Sequence, residues 1–159
     1  MTQPHGSPTR IPGEPDADRY WLSLAIDLSR KCPVSESAFS VGAILVSVTG
    51  EALATGYSRE TDPIDHAEEV TLRRASGTDL GKATLYSSLE PCLRRASRPV
   101  SCSELIAGSG LQRVVIAWLE PPTFVPHGGA MWLAARDIAV IQLADLAPAA
   151  KAVNAHLLS

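Results

Sequence analysis

A chain of 159 residues with 45% hydrophobic residues is long enough to fold as one domain around a buried core. Its formal net charge of −3 and aromatic content of 5% argue against a nucleic-acid-binding surface, which needs basic residues and stacking side chains. No apolar run approaches the roughly 20 residues that span a bilayer. The N-terminus lacks the basic and apolar segments of a signal peptide. Three cysteines, an odd number, fit a reducing compartment, so we expect a cytoplasmic protein.

The first part of the chain predicts a tail, a helix and a hairpin. Residues 1–15 hold four prolines and few apolar residues, so we expect a flexible N-terminal tail ahead of a single domain over residues 16–159. An apolar helical face starts at Tyr20 and stops before Pro33. The β-rich runs VGAILVSV and EALATGY follow, joined by a turn at Thr49 and Gly50.

Helices and strands alternate in the rest of the chain. Helices are predicted from Asp65 to about Ser76, from Cys102 to about Gly108, after Gly129 and from Leu146 to Leu158. The runs ATLYSSL, RVVIAWL and IAVIQL lie between them and predict strands. This alternation predicts a three-layer α/β/α sandwich with a mixed five-stranded sheet, in which the last three strands are parallel neighbours.

One histidine and two cysteines stand where helices are expected to begin. His66 precedes a predicted helix, Cys92 follows Pro91, and Cys102 begins the next helix. Helix N-termini carry partial positive charge, which stabilises thiolates. We therefore expect His66, Cys92 and Cys102 to bind one Zn²⁺ per chain, with the fourth position open as in catalytic zinc sites. Cys32 is interpreted as a small buried hydrophobe.

The motif around these residues resembles the signature of a class of zinc enzymes. Zinc nucleobase deaminases have the signature H-x-E … P-C-x-x-C; its first half is intact here, whereas nine residues separate the two cysteines. With this long spacer, the chain resembles the deaminase domain of the RibD-type riboflavin-biosynthesis deaminase/reductases, in the cytidine deaminase-like superfamily. The resembling segments are VGAILV, HAEEVTLRRA, ATLYSSLEPC, CSELIAGSGLQRVVIAW and AAKAVNAHLL.

The resemblance implies a cytidine deaminase-like fold, zinc on His66, Cys92 and Cys102, Glu68 as the catalytic residue, and a homodimer. Zinc would lower the pKa of a bound water. Glu68 would take the proton from that water and return it to the ring nitrogen and the leaving ammonia, so it should stay off the metal. Glu69 is interpreted as a solvated helix residue.

The chain departs from the family where substrate binds. SAFSVGA replaces a Pro-Asn-Pro segment, Leu93 to Arg95 replace a pair of histidines, and EPPTFVPHGG replaces an Asp-Pro-Asn-Pro type of loop. The family's reductase domain has no counterpart in these residues, so we expect a stand-alone deaminase.

Five side chains are candidates for substrate binding. Phe39 is suited to packing against a flat ring or within the core. Arg94, Arg95 and Arg98 would bind a phosphate as guanidinium groups do, or lie in a solvated loop. His127, beside two glycines, would lie at the rim of the pocket or on the surface.

Three functions remain open at this point. The first is deamination of a small aminopyrimidine, as in the diaminohydroxyphosphoribosylaminopyrimidine step of riboflavin biosynthesis. The second is deamination of another nucleoside or base, of cytidine, guanine or specialised-metabolite type. The third is a non-catalytic zinc-stabilised binding protein, and the presence of Glu68 argues against it. The expected partner is a small molecule rather than a nucleic acid or a membrane.

Overall fold

A computed structural model describes residues 9–120 and 128–158. Among these residues, no helix is both long and apolar enough to cross a bilayer. The helices are α1 (Pro15–Ser29), α2 (Ala67–Arg74), α3 (Cys102–Gly108), α4 (Gly129–Ala134) and α5 (Ala147–Val153), with short 3-10 turns on both sides of α5. The strands are β1 (Gly42–Val46), β2 (Ala52–Tyr57), β3 (Thr84–Leu89), β4 (Arg113–Trp118) and β5 (Ala139–Gln142).

The five strands form one mixed sheet in the order β2-β1-β3-β4-β5. Strand β1 is antiparallel to both of its neighbours, whereas β3, β4 and β5 run parallel. The hairpin, the five strands and the parallel pairing of the last three were all predicted from the alternating pattern, and they are confirmed. The parallel strands direct their carboxyl ends to the same edge of the sheet.

The sheet is covered on both faces. Helices α1 and α5 contact each other and the central strands, whereas α2, α3 and α4 form the second helical layer. Strands β1 and β3 are buried along their whole length; the continuous apolar run of β1 predicts this, whereas Thr84, Ser87 and Ser88 make half of β3 polar. Gly42 allows α1 to approach β1 closely, because a Cβ atom at this position would lie 2.0 Å from the carbonyl oxygen of Ala25.

The N-terminal region differs in detail from the expectation. Helix α1 begins at Pro15, five residues before Tyr20, because proline is well suited to the first helical turn. Residues 1–8 of the predicted tail lie outside the described residues. The rest of it contacts α1: the indole N–H of Trp21 donates to the carbonyl oxygen of Arg10 at 2.9 Å, and the Gly13 N–H donates to Asp18.

A charged network ties α1 to the sheet. Arg113 on β4 donates to Asp18 on α1 at 2.6 Å and 3.0 Å, and the Tyr86 hydroxyl on β3 donates to the same carboxylate at 2.6 Å. Burial alone would raise the pKa of Asp18, but these hydrogen bonds outweigh it and hold the pKa below its ordinary value. The network therefore stabilises the ionised form of Asp18 in the folded state.

Candidate metal and active site

Three chain segments bring potential metal ligands together at the carboxyl end of β3. His66 is the N-cap of α2, Cys92 lies three residues beyond the end of β3, and Cys102 is the first residue of α3. Ser101 fixes the start of α3, because its hydroxyl accepts from the Glu104 N–H and its own N–H donates to the Glu104 carboxylate.

The prediction that Cys92 begins a helix is wrong. The segment from residue 90 to residue 101 contains no helix, since α3 starts only at Cys102. Cys92 instead lies against the start of α3, where the Cys102 N–H donates to its sulfur at 3.3 Å and the Ser103 N–H donates to its carbonyl oxygen at 3.0 Å. The sulfur therefore still benefits from the N–H groups of a helix start.

The ligand atoms of His66, Cys92 and Cys102 all lie within 4.8 Å of one another. Nδ1 of His66 is 3.6 Å from Sγ of Cys92 and 3.4 Å from Sγ of Cys102. Both sulfurs belong to buried residues, whereas His66 is half-buried. Among the described residues, no other histidine, cysteine or carboxylate joins this cluster.

The pKa values of the two thiols shift in opposite directions. Hydrogen bonding from Cys102, followed by that from His66, lowers the pKa of the Cys92 thiol to about 4 despite its burial. The same contact with Cys92, together with burial and the Glu68 carboxylate, raises the pKa of the Cys102 thiol. A dication bound by both sulfurs would favour release of both thiol protons.

Glu68 is the second residue of α2 and is almost completely buried, with 3% of its surface exposed. The Ser87 hydroxyl on β3 donates to Oε1 of Glu68 at 2.6 Å. Burial raises the pKa of the Glu68 carboxyl, and the hydrogen bond from Ser87 opposes this shift. Sequence reasoning missed Ser87, because the presence of a serine in a predicted strand does not show which side chain it will contact.

A cavity of about 420 Å³ opens beside these residues. Its wall includes His66, Glu68 and Cys92 together with the segment leading into β1. Phe39 lines this cavity and also packs edge-to-face on Trp118, with ring centroids 5.2 Å apart. The two interpretations of Phe39, ring contact and core packing, are therefore compatible.

Arg59 is a wall residue that sequence reasoning missed. It follows β2 and adopts a left-handed backbone with φ of 59°. Its guanidinium donates to the carbonyl oxygens of Pro33 and Phe39 and to the Ser40 hydroxyl, at distances between 2.7 and 3.2 Å. These bonds hold the segment that carries Phe39 against the cavity.

The three spacer arginines differ in their surroundings. Arg95 lines the cavity, lies 3.5 Å from Glu69 and donates to the carbonyl oxygen of Ile64. Arg98 lies 2.7 Å from Glu69 and 3.2 Å from Asp65. Arg94 is exposed. The interpretation of Glu69 as a solvated helix residue is wrong, because the spacer folds back over α2 and pairs with it.

Two glutamates follow β3 and β4 and were also missed. Glu90 accepts from the N–H groups of Glu120 at 3.0 Å and Ala130 at 2.8 Å, which joins β3, β4 and α4. Glu120 itself lines the cavity. Their positions in the sequence could have indicated a place at the site, since both residues stand just beyond the carboxyl ends of neighbouring parallel strands. His127 lies outside the described residues, so its proposed place at the rim stays a prediction.

Residues 15–118 match the family described as the cytidine and deoxycytidylate deaminase zinc-binding region. The chain belongs to this family. The match contains both helices and both loops that bring His66, Glu68, Cys92 and Cys102 together. The predicted membership in the cytidine deaminase-like superfamily and the predicted fold are confirmed.

Similar proteins within this family carry RibD-type names. The chain is 40% identical over 129 residues to a diaminohydroxyphosphoribosylamino-pyrimidine deaminase of Schizosaccharomyces pombe, covering 79% of this chain and 31% of that protein. It is 31% identical to a protein of the same name from Buchnera aphidicola subsp. Schizaphis graminum, covering 77% of this chain and 82% of that one. The structure of Acinetobacter baumannii RibD aligns with a TM-score of 0.74 and 27% identity, over 89% of this chain and 39% of that chain. The predicted resemblance to RibD-type deaminases is confirmed.

The three ligands fit the zinc that this family binds. Tetrahedral zinc with Zn–S bonds of about 2.3 Å and Zn–N bonds of about 2.0–2.1 Å places sulfur and nitrogen ligands about 3.6 Å apart. The Sγ to Nδ1 distances of 3.4 and 3.6 Å agree with this spacing. One imidazole and two thiols are ligands of zinc type, and three protein ligands leave a position for water.

Proposed function

We propose that this protein is a zinc-dependent hydrolytic deaminase, that its substrate is a diaminohydroxyphosphoribosylaminopyrimidine, and that it serves riboflavin biosynthesis. The observation that carries the proposal is the position of Glu68, a buried carboxyl group in the wall of a cavity directly beside the His66, Cys92 and Cys102 cluster. The names of the fission yeast and Buchnera relatives support the choice of substrate.

His66, Cys92 and Cys102 would hold the zinc ion, which when bound supplies Lewis-acid activation of a water molecule. Oε1 of Glu68 accepts the hydrogen bond from Ser87, which orients the carboxyl group and leaves Oε2 to exchange protons. Glu68 takes a proton from the attacking water and delivers it to the ring nitrogen, and then assists departure of ammonia. Net water enters at the carbon that carried the amine, and ammonia leaves.

The cavity offers a partner for each part of such a substrate. Phe39 presents an aromatic ring at the wall, and a pyrimidine ring would contact it. Arg95 presents a cation at the same wall, where Nη1 is buried, forms no hydrogen bond among the described residues and lies 3.5 Å from the carboxylate of Glu69. We infer that Arg95 is the spacer arginine placed to bind the phosphate, since it lines the cavity, whereas Arg98 does not line it and is engaged by two carboxylates.

A second candidate function, deamination of another nucleoside or base, is favoured by the wall before β1. Ala38 and Phe39 line the cavity there, and neither side chain offers a hydrogen-bonding group to a substrate. A cytosine or guanine ring without a phosphate would also fit a cavity of about 420 Å³. A non-catalytic role is disfavoured, because Glu68 is buried beside the cluster and is not one of its three potential ligands.

Ammonia release by the zinc-loaded protein tests the proposal. We expect turnover of the phosphoribosylaminopyrimidine to exceed turnover of cytidine, cytosine and guanine at equal concentration. Preferred turnover of cytidine or guanine would favour the second function, and no turnover of any compound would favour the third. The proposal includes a homodimer in the cytoplasm. Light scattering of the zinc-loaded protein tests the oligomeric state, and fractionation of cells tests the location.

A further inference from the structure

Glu120 is a buried carboxyl group whose side chain forms no hydrogen bond with the described residues. It follows β4, lines the cavity, and has 8% of its surface exposed. Within the described part of the chain its Oε2 atom is buried without any partner, and its side chain forms no hydrogen bond. Only its main-chain N–H is engaged, by Glu90.

The neighbouring Glu90 shows what a structural carboxyl looks like at this edge of the sheet. It is equally buried, at 5% exposed, but each of its oxygens accepts a main-chain N–H, from Glu120 and from Ala130. Glu90 therefore stabilises the junction of β3, β4 and α4. Glu120 makes no corresponding contact with residues 9–120 or 128–158, and an unpartnered buried polar group destabilises a fold. The described part of the fold therefore gives no structural reason for a glutamate at position 120.

The surroundings of Glu120 belong to the active site. Burial raises the pKa of Glu120 to about 9, and the Cys92 thiolate and the carboxylates of Glu68 and Glu90 add to the shift. In both of its protonation states the group still has an oxygen that accepts a hydrogen bond. A bound molecule with an N–H donor would therefore satisfy it.

We propose that Glu120 is a specificity-determining residue that accepts a hydrogen bond from an amino group of the substrate. The inference rests on the proposed function, because a ligand in this cavity is assumed. It deepens that function by naming the chemical class, a pyrimidine that carries amino donors. A ring without such donors would leave Glu120 buried and unpartnered, which lowers its affinity.

Two substitutions and two ring compounds test the proposal. Glu120→Met keeps the length of the side chain but cannot accept a hydrogen bond, whereas Glu120→Gln keeps an acceptor oxygen. Glu51→Met, in the exposed turn before β2, is the matched control. Calorimetry on the zinc-loaded proteins measures the dissociation constants of 2,4-diamino-6-hydroxypyrimidine and of 4-hydroxypyrimidine, which has the same ring without amino groups. Thermal unfolding is measured in parallel.

We expect the parent protein and Glu51→Met to prefer the diamino compound. The preference should fall about ten- to a hundredfold in Glu120→Met, the scale of a hydrogen bond to a carboxyl group, and should be largely kept in Glu120→Gln. Glu120→Met should melt at or above the temperature of the parent, because it removes an unpartnered buried group.

Two results would overturn the inference. An unchanged preference in Glu120→Met would show that no amino group contacts position 120. A lower melting temperature with equal loss for both compounds would assign Glu120 a structural role. The proposed function fails separately, if the parent binds the diamino compound but releases ammonia from no substrate.

Discussion

The Ser87 hydroxyl donates to Oε1 of Glu68 at 2.6 Å, and it also lies 2.8 Å from the carbonyl oxygen of Leu89. A hydroxyl has one proton, so these two oxygens compete for a single donor. When Glu68 is ionised, its charge attracts the proton more strongly than the carbonyl oxygen does. The rotation of this hydroxyl is thus coupled to the charge of the carboxyl group that we propose as the proton carrier.

Replacing Ser87 by alanine should therefore slow turnover without removing the metal. We expect kcat to fall about ten- to a hundredfold, the scale of a hydrogen bond to a charged group, with zinc content at the parental level. Steady-state kinetics and metal analysis check this. A parental kcat in Ser87→Ala would mean that the hydrogen bond does not orient Glu68 for catalysis.

The sequence allowed the sheet, the family and the residues of the metal cluster to be predicted, because each has a local pattern. Apolar runs mark β1 and β4, and the His-x-Glu and Pro-Cys pairs mark the segments that hold the metal ligands. The contacts of Ser87, Arg59 and Glu120 could not be predicted, since they depend on which loops meet at the edge of the sheet. Arg98 shows the same limit, because its carboxylate partners, Asp65 and Glu69, come from another segment.

The arginines of the spacer should separate into a substrate contact and a structural contact. If Arg95 binds a phosphate, Arg95→Gln should weaken binding of the phosphorylated substrate by about 1.5–3 kcal/mol, and the unphosphorylated analogue should be affected little. KM for both compounds measures the difference. Arg98→Gln is the matched control, and we expect it to leave the ratio of the two KM values unchanged.

Equal loss of both compounds in Arg95→Gln, or a larger selective loss in Arg98→Gln, would reject this assignment. Arg94→Gln should resemble the control, since Arg94 is exposed and does not line the cavity.

The Asp18 network predicts a pH dependence of stability. The pKa of Asp18 is held below its ordinary value of 3.8 in the folded state, although burial opposes this, because Arg113 and Tyr86 donate to the carboxylate. The resulting stabilisation is fully present above about pH 4 and is lost as the pH falls through the folded-state pKa. Asp18→Asn should lower the free energy of unfolding by roughly 1–3 kcal/mol at pH 7.

Urea unfolding of the parent and of Asp18→Asn between pH 3 and pH 7 measures this difference. It should be largest at neutral pH and should shrink below about pH 4, as the parent's carboxylate becomes protonated. A difference that stays constant over this range would show that the charge of Asp18 does not contribute.

The assignment of the three metal ligands is tested by measuring the zinc content of cysteine variants. Cys102→Ser should lose most of the zinc that we expect at one ion per chain, because it removes one of three protein ligands whose atoms lie within 4.8 Å of one another. Metal analysis of purified protein checks this. Full zinc in both Cys92→Ala and Cys102→Ala would contradict the assignment of the ligands.

The most direct test of the account is the deaminase activity of Glu68→Gln in its zinc-loaded form. Glutamine keeps the size of the side chain and an oxygen for the hydrogen bond from Ser87, but it cannot accept a proton. Zinc content and melting temperature should stay close to those of the parent. Turnover should fall by about 10⁴-fold or more, the upper end of the range for proton transfer by a positioned side chain. Turnover within about tenfold of the parent, with zinc bound, would contradict the role of Glu68 as the proton carrier.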